Sequence, residues 1–175
     1  MEIAQRSHGP EPRSTRPPKL DTGAAHSVVI ATPAHGAYQV IITGLALGRY
    51  TLFVNPYSAD GTAQPVASIQ GIAGVGLSKT FQIQFASAPG AASTAVPMVT
   101  FQSVLDDINN SLQLGPIDNA GIANSLSSKI NAASGGDKNV LTAFINEVTA
   151  QVGVHIIGIA PQILVNDANS LLAQP

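Results

Sequence analysis

The chain of 175 residues is 45% hydrophobic and only 10% charged, with a net charge of −2 and no cysteine. So few charges exclude a charge-driven disordered chain, and the lack of cysteine excludes disulfides, thiolate metal sites and a cysteine nucleophile. Residues 1–20 hold Arg6, Arg13, Arg16 and Lys19 against Glu2 and Glu11, for only +2, and residues 98–175 set two lysines against six carboxylates, which argues against nucleic-acid binding.

The surface must therefore be built from Asn, Gln, Ser, Thr and Gly, a coat commoner on secreted modules than on cytosolic enzymes. Residues 1–6 lack the apolar core of a signal peptide. The longest apolar run, residues 154–161, is too short to span a bilayer, so no membrane span is expected. The length allows one domain or two small ones.

In chain order, residues 7–25 are rich in Pro, Arg, Ser and Gly. They read as a flexible arm or as an edge strand. Residues 26–32 (HSVVIAT) are a β-branched run that predicts a strand, with a turn at residues 33–36. Tyr38, Val40 and Ile42 then alternate with Gln39 and Thr43, and Tyr50, Leu52 and Val54 alternate with Thr51 and Asn55. Residues 55–61 (NPYSADG) form a turn cluster in which Gly61 is available for positive φ. Residues 65–71 predict a further strand, Gly71, Gly74 and Gly76 a loose connection, and Phe81, Ile83 and Phe85 a last strand with Gln82 and Gln84 outward. Short strands at this spacing predict a small antiparallel sandwich.

Residues 88–95 (APGAASTA) read as a linker, after which the period becomes helical. Phe101, Val104, Leu105, Ile108 and Leu112 mark a first helix, stopped by Gly115-Pro116. Ile122, Leu126 and Ile130 mark a second, with Asp118 as its cap and Gly135-Gly136 at its end. Asp137 is placed to cap a third, bearing Val140, Leu141, Phe144, Ile145, Val148 and Val152. Pro161 suits the first turn of a fourth, with Ile163, Leu164, Ala168, Leu171 and Leu172. Four helices on short connections predict an antiparallel bundle. Each half is near the lower size limit for a lone core, so the two are expected to pack together.

The sequence offers no catalytic, cofactor or metal residues. His8, His26, His35 and His155 stand at no ligand spacing. Asp106 and Asp107, adjacent on a helix, diverge by about 100° and read as a solvated face. Asp60-Gly61 offers one carboxylate where a calcium loop needs several. Residues 71–76 are glycine-rich but match neither a dinucleotide nor a phosphate loop, and no serine sits in a nucleophile elbow. The aromatics Tyr38, Tyr50, Phe53 and Tyr57 are the residues that could present a stacking surface for sugar rings, but the first two lie in phase with the core, no Trp is present, and core or edge packing is the expectation. Tyr57, in the turn, is the one expected to be exposed, and it is the single surface-binding candidate.

Two segments resemble known modules. Leu105 and Ile108, the Gly115/Ile117 turn, and residues 122–133, 143–153 and 159–172 resemble the FIMAH-type helical domain. Residues 26–61 with KTFQIQF resemble the small β-module that precedes it in large secreted bacterial proteins. Residues 8–13 (HGPEPR) are similar to the turn after that module's first strand, which makes residues 1–6 a strand. Where the family has a basic, polar turn, residues 154–158 (VHIIG) are apolar and are expected to be buried.

The resemblance implies extracellular location, an accessory non-catalytic role, and a chain that ends a longer architecture. The expectation is thus a segregated α+β protein, with a sandwich at residues 1–87, a linker at 88–96 and a bundle at 97–175. It would serve as a non-enzymatic module for binding or attachment to a polysaccharide or a cell-surface protein. The rival readings are a self-assembling subunit, a homo-oligomer joined through an edge strand, and a hydrolase with a dispersed site.

Overall fold

A computed structural model describes residues 2–7, as backbone, and residues 25–174. The arm at 8–24, with His8 and the turn expected at residues 8–13, lies outside the described residues. The chain is α+β, with strands preceding helices. Among the described residues six strands, β1 (Glu2–Ser7), β2 (Gly36–Thr43), β3 (Gly48–Val54), β4 (Ala67–Ala73), β5 (Ser78–Phe85) and β6 (Thr94–Pro97), precede four helices. These are α1 (Phe101–Leu114), α2 (Ala120–Ser134), α3 (Asn139–Ala150) and α4 (Ala160–Leu172). The strands form two small sheets, one in the order β1-β2-β5-β6 and one of β3 with β4.

The alternating sequences form the strands expected of them. Ile42 on β2 and Phe81 and Phe85 on β5 are buried, while Gln39, Gln82 and Gln84 are exposed. β2 and β5 run antiparallel with Tyr38 opposite Ile83 and Val40 opposite Phe81. β1 lies antiparallel along the other edge of β2, Glu2 opposite Thr43 and Ser7 opposite Tyr38. β6, at the end of the stretch expected to be a linker, pairs with β5 from Phe81–Pro97 to Gln84–Thr94.

Two strand expectations are corrected. Residues 26–32 form no strand. They do not flank β2, whose two sides pair with β1 and β5, and β-branched composition alone does not make a strand without a partner. Val29 is 87% exposed, and Thr32 has φ of 51°, which breaks an extended course. Gly71, expected in a loose connection, lies inside β4 and is buried.

The chain divides into two compact units. One comprises Met1–Ala46, Thr51–Ile69 and Val75–Met98; the other joins Leu47–Tyr50 and Gln70–Gly74 to Val99–Pro175. In the helical unit α1 contacts α2 and α4, and α3 contacts the same two. The shared core includes Val104, Ile108, Leu126, Ile130, Leu141, Phe144, Val148, Leu164 and Leu171. Each of these recurs at helical spacing in the sequence, so periodicity and packing agree.

Helix ends follow local chemistry. Thr100 and Ser103 form a reciprocal capping box on α1, and Gly115 closes it with φ of 96°. The cap of α2 is Asn119, not Asp118: its Oδ1 accepts from the amides of Gly121 and Ile122. Asp118 instead accepts on Oδ1 a 2.8 Å contact with His155 Nδ1. Asp137 accepts from the Asn139 amide at 3.1 Å, at the start of α3.

The apolar loop between α3 and α4 is only partly buried, contrary to expectation. Ile156 is fully inside, bridged to Ile117 and Val152. The turn is closed by the Gly153 amide on the Ile156 carbonyl and the Ile157 amide on Pro116. That tight path leaves one inward position, so Val152, Val154 and Ile157 face outward.

Candidate functional site

The connection from β3 to β4 is tied by a set of backbone and side-chain hydrogen bonds. The strand alternation runs on past β3: Leu52 and Val54 are half-buried, Pro56 and Ser58 buried, while Thr51, Phe53, Asn55 and Tyr57 are exposed. The Ser58 amide bonds the Thr62 carbonyl, the Gln64 amide bonds Pro56, and the Ala59 amide reaches Ser87. Gly61 takes φ of 84°, which the turn requires. The Thr62 amide donates to Asp60 Oδ1 at 3.0 Å, and this bond holds the Asp60 carboxyl below the usual carboxylate range.

Beneath the loop lies Gln64, 7% exposed, with its amide fully used. Nε2 donates to Ser58 Oγ at 3.2 Å and to the Ala86 carbonyl at 2.6 Å. Oε1 accepts from the Ser93 amide at 2.9 Å and from Ser93 Oγ at 2.7 Å. Two donors and two lone pairs are all that a glutamine amide has. The loop is thereby held by groups 22 and 29 residues away, and it carries Tyr57 on a fixed base.

Tyr57 is 57% exposed, as its place in the turn suggested, and Phe53 is 61% exposed. Core or edge packing is thus corrected for Phe53, which the period-two pattern puts on the outward side with Thr51 and Asn55. Tyr38 is half-buried, donates to the Ala34 carbonyl at 2.7 Å and meets Phe85 edge-on. Tyr50 is buried.

A second polar cluster lies within the helical unit. Asp107 is 2% exposed and Asp167 8%, with Asn110 and Ser111 also buried. The reading of Asp107 as part of a solvated face is therefore corrected. It lies in the buried stripe of α1 with Val104, Ile108 and Ser111, at i, i+3, i+4 and i+7 from Val104. Asp167 holds the equivalent place on α4 beside Leu164, Ala168 and Leu171. Burial first, then the charges of Asp107 and Asp167, hold the Tyr50 phenol proton far above its ordinary range.

This produces a testable pH dependence. The unfolded chain gives up the Tyr50 proton near the ordinary value of about 10, and the folded chain does so only at higher pH. The contribution of Tyr50 is thus constant below that value and is lost as pH rises above it. The difference in 295 nm absorbance between the wild type and Tyr50→Phe should stay flat until the fold is lost; a step near pH 10 in folded protein contradicts it.

Two other clusters have the outline of catalytic groups. Lys129 Nζ lies 3.0 Å from Ser125 Oγ and 2.7 Å from Glu147 Oε2, and Ser125 donates to the same carboxylate at 3.1 Å. The serine proton is thus committed to Glu147, and the trio clamps α2 to α3. The Asp118–His155 pair ties the start of α2 to the α3–α4 turn. Among the described residues no three histidines or carboxylates converge on a metal position, and no helix is long and apolar enough to cross a membrane. No family model matches the chain, and neither a similar curated protein nor a similar solved structure is found.

Proposed function

We propose that the chain is a non-enzymatic accessory module that works outside the cytoplasm and binds or attaches to a partner, a polysaccharide or a cell-surface protein. Its front half is read as a small β-sandwich and its back half as an antiparallel four-helix bundle of FIMAH type. The observation that carries the binding role is the pre-organised loop at residues 55–64, which presents Tyr57 on a base of buried hydrogen bonds. Binding side chains sit on loops held by a rigid scaffold, and rigid aromatics lose little entropy on contact. The low charge and the resemblance in the helical half support the extracytoplasmic setting.

A glycan array run beside light scattering over a concentration series tests this. Retention on the array by a chain that stays monomeric is the expected result. A chain that binds no glycan and no surface protein contradicts it.

One observation favours self-assembly as a second reading: β1 lies at the edge of its sheet with β2 as its neighbour, and an edge strand is open to augmentation by another chain. Removing residues 1–20 separates the two. Assembly collapses under the second reading, whereas ligand binding persists under the first.

A further inference from the structure

The outward side of β3 and of the loop that follows carries Thr51, Phe53, Asn55 and Tyr57 at successive alternate positions, all exposed. Alternate residues of an extended chain are about 6.7 Å apart, so the Cα atoms of Phe53 and Tyr57 lie no more than about 13 Å from each other. Between them lies a carboxamide, and beside Phe53 a hydroxyl. The row therefore alternates an apolar face with a hydrogen-bonding group.

Charge is nearly absent here. The row itself is uncharged: the charges nearest to it in sequence are Arg49, exposed two positions before Thr51, and Asp60, whose carboxylate already accepts from the Thr62 amide. From residue 49 to residue 78 a nucleic acid, an anionic lipid or an acidic polymer meets a single cation, too few to hold a polyanion. A neutral polymer loses nothing by that, and a sugar chain has the matching pattern. Its ring C–H faces are apolar and stack on aromatic rings, while its equatorial hydroxyls exchange hydrogen bonds with amide and hydroxyl side chains. Rigidity completes the case, because the Gln64 network fixes Tyr57 before any ligand arrives.

We infer that the row Thr51–Phe53–Asn55–Tyr57 is a binding platform for an uncharged polysaccharide, with Phe53 and Tyr57 stacking two sugar rings and Asn55 bonding hydroxyls between them. This rests on the reading of the chain as a binding module and names the ligand class and the surface.

Native gel electrophoresis in gels containing hydroxyethyl cellulose, galactomannan or dextran, with polygalacturonate and heparin as charged polymers, tests it on the full chain. At least one neutral polymer should retard the wild type, equally at low and high salt, since no ion pair is involved. Phe53→Ala and Tyr57→Ala should each weaken retardation roughly tenfold or more, and Asn55→Ala by less. Val154→Ser, on the exposed α3–α4 turn, should leave it unchanged. All four side chains are exposed, so thermal melts should stay at the wild-type value and exclude misfolding as the cause.

Retardation by a neutral polymer that survives Phe53→Ala and Tyr57→Ala overturns the platform and leaves the binding module standing. Retardation by charged polymers alone overturns the ligand class. Where no polymer retards the chain but a cell-surface protein captures it, the glycan platform fails and the module remains. With no partner of either kind, the module itself fails.

Discussion

Gly71→Ala should lower the free energy of unfolding by about 3 kcal/mol, at the upper end of what overpacking a core costs. A Cβ at this position would lie 2.3 Å from Cζ and Oη of Tyr50 and 2.6 Å from Cε1. Backbone strain is not the reason, since Gly71 is absent from the positive-φ glycines. Alanine would otherwise favour a strand over glycine by about 0.5–1 kcal/mol, so the clash must outweigh a gain. Tyr50 cannot swing away cheaply, because it is 8% exposed and its phenol lies in the field of the buried Asp107 and Asp167. Urea unfolding gives the number, and a double-mutant cycle with Tyr50→Leu assigns it. The two changes together should cost clearly less than their sum; strict additivity would show that the ring is not what Gly71 makes room for.

The second large effect is expected at Gln64. Gln64→Leu keeps the approximate volume but strips partners from Ser58 Oγ, the Ala86 carbonyl and the Ser93 amide and hydroxyl. Each buried polar group left unpaired costs on the order of 1–3 kcal/mol. Some of these groups regain water when the loop loosens, so a loss of about 3 kcal/mol is expected. Amide exchange at residues 57–64 should speed up, because the bonds that close the loop share this base. If the platform is correct, retardation by a neutral polysaccharide also falls although Phe53 and Tyr57 are intact. A variant with wild-type stability and unchanged exchange would show that the network is ornamental.

What the sequence made legible follows from which interactions are local. Helices are written at a period of 3.6 by Val104, Ile108, Leu126, Ile130, Phe144, Leu164 and their neighbours, and Gly115-Pro116 and Gly135-Gly136 mark where the first two stop. Strands at Tyr38–Ile42 and Phe81–Phe85 are equally plain at period two. The features that escaped are long-range or polar. Whether residues 26–32 form a strand depends on a distant pairing partner, and β2 pairs with β1 and β5 instead. The need for glycine at 71 arises from a ring 21 positions away in sequence. The ties of Gln64 span 22 and 29 residues and leave no periodic trace.

Asp107 is a different kind of miss. It stands in phase with the apolar stripe of α1, as Asp167 does on α4, so its burial is legible from position, against the general rule that carboxylates face water. Phe53 is the mirror case: a large apolar residue whose phase said outward, passed over because aromatics are usually core. In both, periodicity was the better guide than residue type.

The account centres on one surface, the outward row from Thr51 to Tyr57. The most direct measurement is a backbone amide NMR titration of the full chain with the neutral polysaccharide that retards it most. The largest shift changes should fall on residues 51–61, and Tyr57→Ala should abolish them. Changes confined to the helices, or to Val152, Val154 and Ile157, would contradict the account.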